Sequence, residues 1–530
     1  MPPAGPHDPH RVSTSPTLPS RQKQDRPFDV RDLYQGPSPT SAANAAAGTT
    51  SLDEKLRQAY FWIVNHAIIT PYYDIEFNDA LPPSFRFGGV GTEIRLPTGQ
   101  SYSSFVLLPL LSFALRKRCL FIGGPGRGKT ASAILMGILA GYSLHDLRRG
   151  IQHGQPQMSI ADLLGNPLPK DLITASSNDE IKIAWRKWLS MRVKIVDEYN
   201  RIPTRTQSAL LTLLADGYAE ILDQTIESPE SAWYLTANDD MGGGTYQVIE
   251  ALKDRIDIVV KALNFNPRFL GELILRVEGE GKPEALVPRE IVFTEAELDE
   301  VHRQILAIAV PRPVRRRLEF FAAQFDFCDL AAQDVEYKTK DTIRIAGKTV
   351  SAVCANDCGR DKVKALCSQT ENGLSVRALM SMIGFVKALA WFRGNAEVSV
   401  ADLRNIIPWM LHEKMMQNPT SPYFDQSENA IYRIDHIAWI RRAFDLACAE
   451  YVRLDLDRDD PVATMDEEFE KGLDGVPEAE VRQRMTVIES HFASLAKATK
   501  LYAHVQNDLL KLKYYHQRYS NYLRWLSWKA

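Results

Sequence analysis

Apolar and polar positions divide the chain into an unpatterned start, an α/β stretch and a helical remainder. From Ser51 onwards apolar residues recur at helical spacing, and Ser51 with Glu54 predicts a capping box at the start of that helix. A wholly apolar segment, residues 105–115, predicts a further helix. Short apolar runs typical of buried parallel strands lie at 119–122, 193–197, 231–237 and 256–260. An α/β core with a parallel sheet is therefore predicted.

After about residue 290 the pattern turns helical, with one interruption at about 326–372. Part of that interruption, residues 337–350, has the character of a β-hairpin. The last part of the chain predicts two long helices and an acidic loop between them, at 431–453, 478–528 and 455–470.

The last predicted helix carries an aromatic stripe, formed by Leu512, Tyr515, Tyr519, Tyr522 and Leu526. Helical spacing of this kind indicates a buried face. Packing against residues 431–453 is the interpretation we prefer, and docking of a partner protein is the alternative.

Charge and hydropathy argue against several classes of protein. A net charge of −3 gives no global reason to expect binding to nucleic acid or to an anionic membrane. The longest apolar run is broken by Pro109 and is too short to cross a bilayer, and the N-terminus lacks the apolar core of a signal peptide, so a cytoplasmic protein is predicted. One local basic cluster is predicted to be a solvated helix face, namely Arg312, Arg315, Arg316 and Arg317.

A glycine-rich run follows the first predicted strand and precedes an alanine-rich helix. Glycines let successive backbone N–H groups turn inward around a polyphosphate at a helix N-terminus. Lys129 would reach the β- and γ-phosphates, and the Thr130 hydroxyl would ligate Mg²⁺. The run fits the G-x-x-x-x-G-K-T (Walker A) pattern and consists of Gly123, Gly124, Pro125, Gly126, Arg127, Gly128, Lys129 and Thr130.

Polar residues follow two later strands. The strand at 193–197 ends in Asp197-Glu198, a Walker B pair in which Asp197 would hold the Mg²⁺ shell. Glu198 would polarise the water that attacks the γ-phosphate and is the predicted catalytic base. Asn238, at the end of the next strand, is a candidate sensor because an uncharged amide can hold that water without adding negative charge.

Phosphoryl transfer spreads negative charge that arginine can stabilise, and two arginines are candidates for this role. Arg255 lies just before the last core strand, where it could face the nucleotide of a neighbouring subunit. Arg377 opens a helix of the second unit and could close over the nucleotide of its own subunit.

The order of these motifs resembles that of the AAA+ ATPases, and local strings resemble the MoxR family. D-E-Y-N-R-I-P at 197–203, continuing to T-Q-S-A-L-L at 206–211, is similar to that family's D-E-I-N-R-x-P and T-Q-S-A-L-L stretch. The remaining strings are G-T-Y at 244–246, D-R at 254–255 and S-V-R at 375–377. The departures are Tyr199 for Ile, Asp239 for Pro, Ile256 for Phe and Val376 for Pro. None removes a charged catalytic group, and together they indicate an outlying subgroup.

The resemblance implies a fold and an assembly. It implies an AAA+ α/β nucleotide-binding domain, a helical lid and a ring, usually hexameric, that remodels or matures protein clients beside a partner with a von Willebrand factor A domain. ATP and Mg²⁺ would be the cofactors, with Asn238 as sensor 1, Arg255 as the trans arginine finger and Arg377 as sensor 2. The predicted divisions are a disordered tail, the α/β domain, the lid with its insertion, and a C-terminal helical extension, at 1–50, 51–270, 271–416 and 417–530.

Four cysteines fall inside the interruption of the helical unit: Cys328, Cys354, Cys358 and Cys367. Zinc would stabilise a short insertion that has little core of its own. Their spacing differs from the paired C-x₂-C of a zinc ribbon, so buried or free thiols are the alternative.

A ring motor that acts on proteins is the leading hypothesis. The alternatives are a motor that depends on nucleic acid, a chelatase-type motor subunit for metal insertion into a tetrapyrrole, and a scaffold that hydrolyses ATP only slowly. Near-neutral charge counts against the first alternative, and the carboxylate of Glu198 counts against the last.

Overall fold

The computed structural model describes residues 50–67, 74–77, 83–88, 93–96, 100–238, 254–264, 267, 270–278, 282–497 and 500–529. The predicted tail, apart from residue 50, lies outside these residues, as do the G-T-Y string at 244–246 and Asp239. Domain limits remain predictions.

Strands occur up to residue 261, and the described chain beyond it is mainly helical, with three isolated β-bridges. The strands are β1 (Asp74–Glu76), β2 (Ser84–Arg86), β3 (Glu93–Arg95), β4 (Ser101–Ser103), β5 (Arg118–Ile122), β6 (Gln152–His153), β7 (Gly165–Pro167), β8 (Ile183–Trp185), β9 (Val193–Asp197), β10 (Tyr218–Ile221), β11 (Gln224–Glu227), β12 (Ala232–Ala237) and β13 (Ile258–Lys261). The helices are α1 (Leu52–His66), α2 (Ser104–Leu115), α3 (Lys129–Leu139), α4 (Leu144–Gly150), α5 (Ile160–Leu164), α6 (Pro169–Thr174), α7 (Thr204–Asp216), α8 (Leu270–Glu278), α9 (Glu295–Ala307), α10 (Arg312–Asp326), α11 (Lys340–Ile345), α12 (Val350–Asp357), α13 (Val376–Phe392), α14 (Val400–Leu411), α15 (His436–Arg453), α16 (Ala463–Glu470), α17 (Glu478–Leu495) and α18 (Ala503–Lys529).

Five parallel strands form the central sheet in the order β13-β5-β12-β9-β6. The four predicted core strands are confirmed apart from their end residues. The register pairs Thr236 with Phe121 and Leu235 with Val196, so β5, β12 and β9 end at one edge of the sheet. The residues that follow these three strands therefore lie side by side.

The predicted apolar helix is α2, and every one of its residues is buried. It packs against β5, β12 and β13, and the Tyr234 hydroxyl donates to the carbonyl of Pro109 at 2.9 Å. Among the helices that the structure describes, none combines the length and the apolar character needed to cross a bilayer.

Helix α1 begins as predicted, but the predicted capping box is wrong. Ser51 makes no side-chain cap hydrogen bond. Glu54 instead accepts from Arg57 at 3.0 Å, and the same guanidinium donates to Asp53 at 2.7 Å and to the Phe392 carbonyl at 2.6 Å. A buried arginine at this position holds the Glu54 carboxylate away from the helix start.

The helical lid packs directly on the α/β part. Helix α13 contacts α1, α2 and α9, and α14 contacts α13, α15 and β13. Buried apolar residues from Leu56 to Leu456 form one contiguous core across both parts. Shared core packing therefore sets the position of the lid relative to the sheet in this structure.

The predicted hairpin at 337–350 is wrong, because this segment holds the short helix α11 and leads into α12. Gly347, at φ 72°, ends α11 in the left-handed conformation common at helix C-termini. The carboxylate of Glu371 accepts the N–H groups of Val350 and Ser351, both at 2.9 Å, and so caps α12. Hydrogen bonds to a residue outside the segment therefore stabilise helices where the local pattern predicts strands.

The last predicted helix is two helices, α17 and α18, because the chain turns between them. Arg360 donates to the carbonyl of Leu501 at 2.6 Å, and Ala503 packs with Ala323 and Phe327. The predicted acidic loop also contains helix α16. The aromatic stripe of α18 is packed inside the molecule, as preferred, but on α16 and α17 instead of 431–453; this second core contains Val462, Met465, Val481, Ile488, Leu512, Tyr515 and Tyr519.

The basic cluster on α10 is not the solvated face that its sequence predicts. Arg316 is buried and pairs with Asp508 of α18 at 2.8 Å and with Asp460 at 3.0 Å. Arg312 and Arg317 also pair with acidic residues of the C-terminal extension. The cluster is an ionic seam, formed by Arg312, Arg315, Arg316 and Arg317 with Asp457, Asp460, Glu467, Glu470 and Asp508.

Strand β9 carries a buried lysine that should lower the stability of the fold near neutral pH. Burial lowers the pKa of Lys194 from 10.5 to about 7, and its ammonium donates to Ser231 at 2.6 Å. The unfolded chain binds more protons than the folded one between these pKa values, so stability rises with pH across that interval.

We therefore expect Lys194→Met to raise the melting temperature at pH 7 and to flatten its rise towards pH 10. Ser231 keeps the Met191 carbonyl as a partner at 3.1 Å. Calorimetry from pH 6 to 10 checks this, with the exposed Lys187→Met as the control. A lower melting temperature for Lys194→Met at pH 7 would contradict the expectation.

Candidate functional site

Three strand ends meet at one edge of the sheet and carry most of the predicted site. The glycine-rich loop follows β5, Asn238 follows β12, and Asp197 and Glu198 end β9. Since β12 lies between β5 and β9, Asn238 lies between the loop and the acidic pair. The structure thus brings together residues that are far apart in sequence.

The loop 123–128 has the backbone that its glycines predict. Gly126 and Gly128 are left-handed, at φ 73° and 77°, and helix α3 starts at the next residue. Gly123 passes close to β13, where an added Cβ would lie 2.4 Å from the carbonyl oxygen of Ala262. Arg127 donates to that same carbonyl at 2.8 Å and ties the loop to β13.

The Lys129 ammonium lies inside this loop. It is buried and donates to the carbonyl of Gly124 at 2.7 Å and to that of Gly123. It also donates to Oδ1 of Asn238 at 2.9 Å. The predicted phosphate-binding lysine and the predicted sensor are therefore in direct contact.

Oxygen atoms gather beside α3. Thr130 Oγ1 donates to Oδ1 of Asp197 at 2.7 Å, and Thr236 Oγ1 donates to the same oxygen at 2.6 Å. Hard oxygen donors of this kind suit Mg²⁺, which keeps several waters and takes one or two protein ligands beside phosphate oxygens. Thr130 and Asp197 fit a Mg²⁺ site. The loop fits a polyphosphate, because nothing lies within 4 Å of a Cβ built at Gly126.

Glu198 is held at both carboxylate oxygens. Asn238 Nδ2 donates to Oε1 at 2.8 Å, and Arg201 Nε lies 3.3 Å from Oε2. Its backbone is left-handed, at φ 52°, a conformation that costs a non-glycine residue energy and is concentrated at functional sites. The Glu198 N–H donates to Thr236 Oγ1 at 2.9 Å, which helps to hold this conformation.

The two predicted arginines lie elsewhere. Asp257 accepts from the N–H of Arg118, the first residue of β5, at 2.9 Å, so the nearby Arg255 lies towards the amino end of that strand. Arg377 pairs with Asp254, next to Arg255. The five residues of β5 separate this end from the loop by about 16 Å. Lid packing therefore brings the start of α13, with Arg377, towards the amino end of β5 and away from the loop of its own subunit.

The prediction of zinc is not supported. All six cysteines are free, and within the described part of the chain no His, Cys, Asp and Glu residues form a group that could hold a metal ion. Burial raises the pKa of Cys354 to about 11 and also raises the pKa values of Cys328 and Cys367. The alternative of buried or free thiols agrees with this.

Three residues of the site, Thr236, Asn200 and His153, were not predicted from the sequence. Thr236 links Asp197 to the backbone of Glu198, and Asn200 donates to the Asn238 carbonyl at 3.2 Å. His153 Nδ1 lies 3.4 Å from Asp197 Oδ2. Thr236 lies two residues before Asn238. Because side chains two residues apart along a strand point to the same face, this spacing could have indicated that Thr236 belongs to the site. The contact between His153 and Asp197 depends on the pairing of β6 with β9, which the sequence of β6 does not indicate.

Comparison with known proteins bears mainly on the lid. Residues 364–433 match the family model of the AAA lid domain, a segment that includes α13 and α14. No curated protein matches the chain. Among solved structures, the chain is similar to the 2.00 Å crystal structure of a "putative ATPase" from Cytophaga hutchinsonii ATCC 33406, with 16% identity, 76% of this chain and 97% of that chain covered, and a TM-score of 0.48. At that TM-score the likeness says nothing about activity.

Proposed function

We propose that this chain, whose fold is that of the AAA+ ATPases, is a Mg²⁺-dependent ATPase whose catalytic sites are shared between neighbouring subunits. One observation carries the proposal: Lys129, Asn238 and Glu198 form a continuous chain of contacts across three adjacent strand ends. Charged groups suited to binding a triphosphate and to activating water therefore lie on one surface.

The loop and α3 would bind the nucleotide. Backbone N–H groups after Gly126 and Gly128 would surround the phosphates, and Lys129 would exchange its loop carbonyls for phosphate oxygens. Thr130 and Asp197 would hold Mg²⁺, which neutralises charge on the β- and γ-phosphates when bound.

Glu198 would accept a proton from the attacking water. Because Asn238 donates to Oε1, the carboxylate is oriented, and the attacking water would take the place of Arg201 at Oε2. Asn238 also contacts Lys129, so the amide would report the presence of the γ-phosphate to the base. This arrangement is general base catalysis on a positioned water.

Arg255 and Arg377 would complete the site of a neighbouring subunit. The segment that carries Arg255 lies towards the amino end of β5, and this strand is about 16 Å long, with the loop at its other end. Guanidinium groups from one neighbour suit the charge that develops on a transferred phosphoryl group. A ring, for which six subunits are our expectation, would present both groups to each nucleotide.

A MoxR-type role, remodelling or maturing protein clients with a von Willebrand factor A-domain partner, is the finer proposal. The strings at 197–203 and 206–211 support it. Tyr199, which departs from the family string, is fully buried.

The test measures phosphate release and assembly of the purified chain. We expect release that requires both ATP and Mg²⁺, and a shift to larger assemblies on sizing with a non-hydrolysable ATP analogue. Lys129→Ala should lose both, whereas the exposed Lys170→Ala should lose neither. Absence of Mg²⁺-dependent release from the assembled wild-type protein would overturn the proposed activity, and stimulation by DNA instead of protein would overturn the proposed client class.

A further inference from the structure

Asp254 joins the lid to the segment that carries Arg255. Its Oδ1 accepts from the Ser375 hydroxyl at 3.2 Å, and its Oδ2 pairs with Arg377 Nη1. Ser375 is also the N-cap of α13, where its Oγ accepts the Ala378 N–H at 3.2 Å. One carboxylate therefore holds the start of the lid helix next to the candidate finger.

A second contact fixes the same helix face. Ser381 donates to Oδ1 of Asp257, and both residues are buried. Arg377 and Ser381 are four residues apart and lie on one face of α13. Residues 254–257 are thus bound to α13 at two points about one turn apart, which fixes the rotation of the helix as well as its position.

The ion pair leaves much of the Arg377 guanidinium available. Asp254 contacts it through Nη1, and an arginine has five N–H donors. About half of the side chain is exposed, with a relative accessibility of 47%. A phosphate oxygen can therefore approach the guanidinium while Asp254 still holds it.

The surface beside this contact suits a second copy of the chain. Val376, Met380 and Ile383 form an exposed apolar stripe on α13, with 73%, 69% and 40% of their surface accessible. Such a stripe on a helix that is otherwise packed is typical of a face that another molecule covers. It adjoins Arg377, the residue that the neighbouring subunit's nucleotide would contact.

We infer that Asp254 is a positioning residue for catalysis in trans: it binds Arg377 to the segment that carries Arg255, so that lid and finger approach the neighbour's nucleotide as one unit. The inference rests on the proposed function and adds to it the group that aligns the two arginines. Asp254 has no contact with the nucleotide in this scheme. Its effect reaches the neighbouring site through Arg377 alone.

The first test is Asp254→Asn. An amide keeps the shape but loses the charge that orients Arg377, so we expect kcat to fall about 10-fold or more with little change in the KM for ATP, since the arginines act mainly on the transition state. Assembly size and melting temperature should stay near wild type because the pair is partly exposed. Asp361→Asn, which removes the exposed pair with Lys364, is the matched control. An unchanged kcat for Asp254→Asn would overturn the inference.

A double variant tests whether Asp254 acts through Arg377. If Asp254 acts through Arg377, then Asp254→Asn combined with Arg377→Gln should be no slower than Arg377→Gln alone. Multiplied losses would show that Asp254 acts by another path and would overturn the inference.

Mixed assemblies separate this inference from the proposed function. Glu198→Gln subunits lack the base but keep their arginines, whereas Asp254→Asn subunits keep the base but misplace an arginine. Mixing the two inactive or slowed variants should restore turnover, because some interfaces combine an intact base with intact arginines. If Glu198→Gln is rescued by Arg255→Ala subunits but not by Asp254→Asn subunits, only the role of Asp254 fails. If neither rescues it, the shared site itself fails.

Discussion

Glu198→Gln is expected to lose ATP turnover by about 100-fold or more while ATP binding and assembly persist. A glutamine side chain has the same shape and can still accept from Asn238 Nδ2, so the contacts around Lys129 remain. It cannot take a proton from the attacking water. Phosphate release, nucleotide binding by fluorescence, and sizing with ATP measure the three properties separately.

The control for this variant is Glu220→Gln, on the exposed face of β10. It removes one carboxylate at a distance from the three strand ends and should behave as wild type. Wild-type turnover in Glu198→Gln would rule out the assigned base. Loss of ATP binding in the same variant would instead assign Glu198 to the binding of the nucleotide.

Arg255→Ala is expected to abolish turnover through the neighbour's site. An arginine finger contributes about 1,000-fold or more to kcat in phosphoryl transfer, whereas it adds little to the binding of ATP in the ground state. Because Arg255 lies towards the amino end of β5, its loss should leave Lys129, Thr130 and Asp197 undisturbed. Turnover should return when Arg255→Ala and Glu198→Gln subunits are mixed before assembly.

Arg303→Ala is the matched control, since Arg303 forms an exposed pair with Glu300 on α9. Full activity of isolated Arg255→Ala monomers would contradict a shared site. An activity of the mixture equal to the sum of its separate components would contradict it as well.

Residues at strand ends were predictable because parallel strands impose a simple geometry. Each strand delivers its next residue to the same edge, so Lys129, Glu198 and Asn238 could be brought together from the sequence alone. The left-handed backbone of Glu198 could not, because it depends on the Thr236 hydroxyl across the sheet.

The position of Arg377 could not be predicted from the sequence. Its place at a helix start was predicted correctly, yet its position depends on how the whole lid packs on the sheet. Nothing local to residues 375–377 specifies that Ser375 and Arg377 meet Asp254, more than a hundred residues earlier. Arg316 is a similar case, because its partner Asp508 comes 192 residues later.

The ionic seam would transmit small motions of the lid to the far end of the last helix. It ties Arg316 to Asp508, close to the start of α18, a helix of 27 residues that is about 40 Å long. A lid rotation of about 10° would swing the far end of that helix, with the exposed Trp528, through about 7 Å. Helix α18 would therefore convert a small rotation of the lid into a larger displacement of its aromatic C-terminal end.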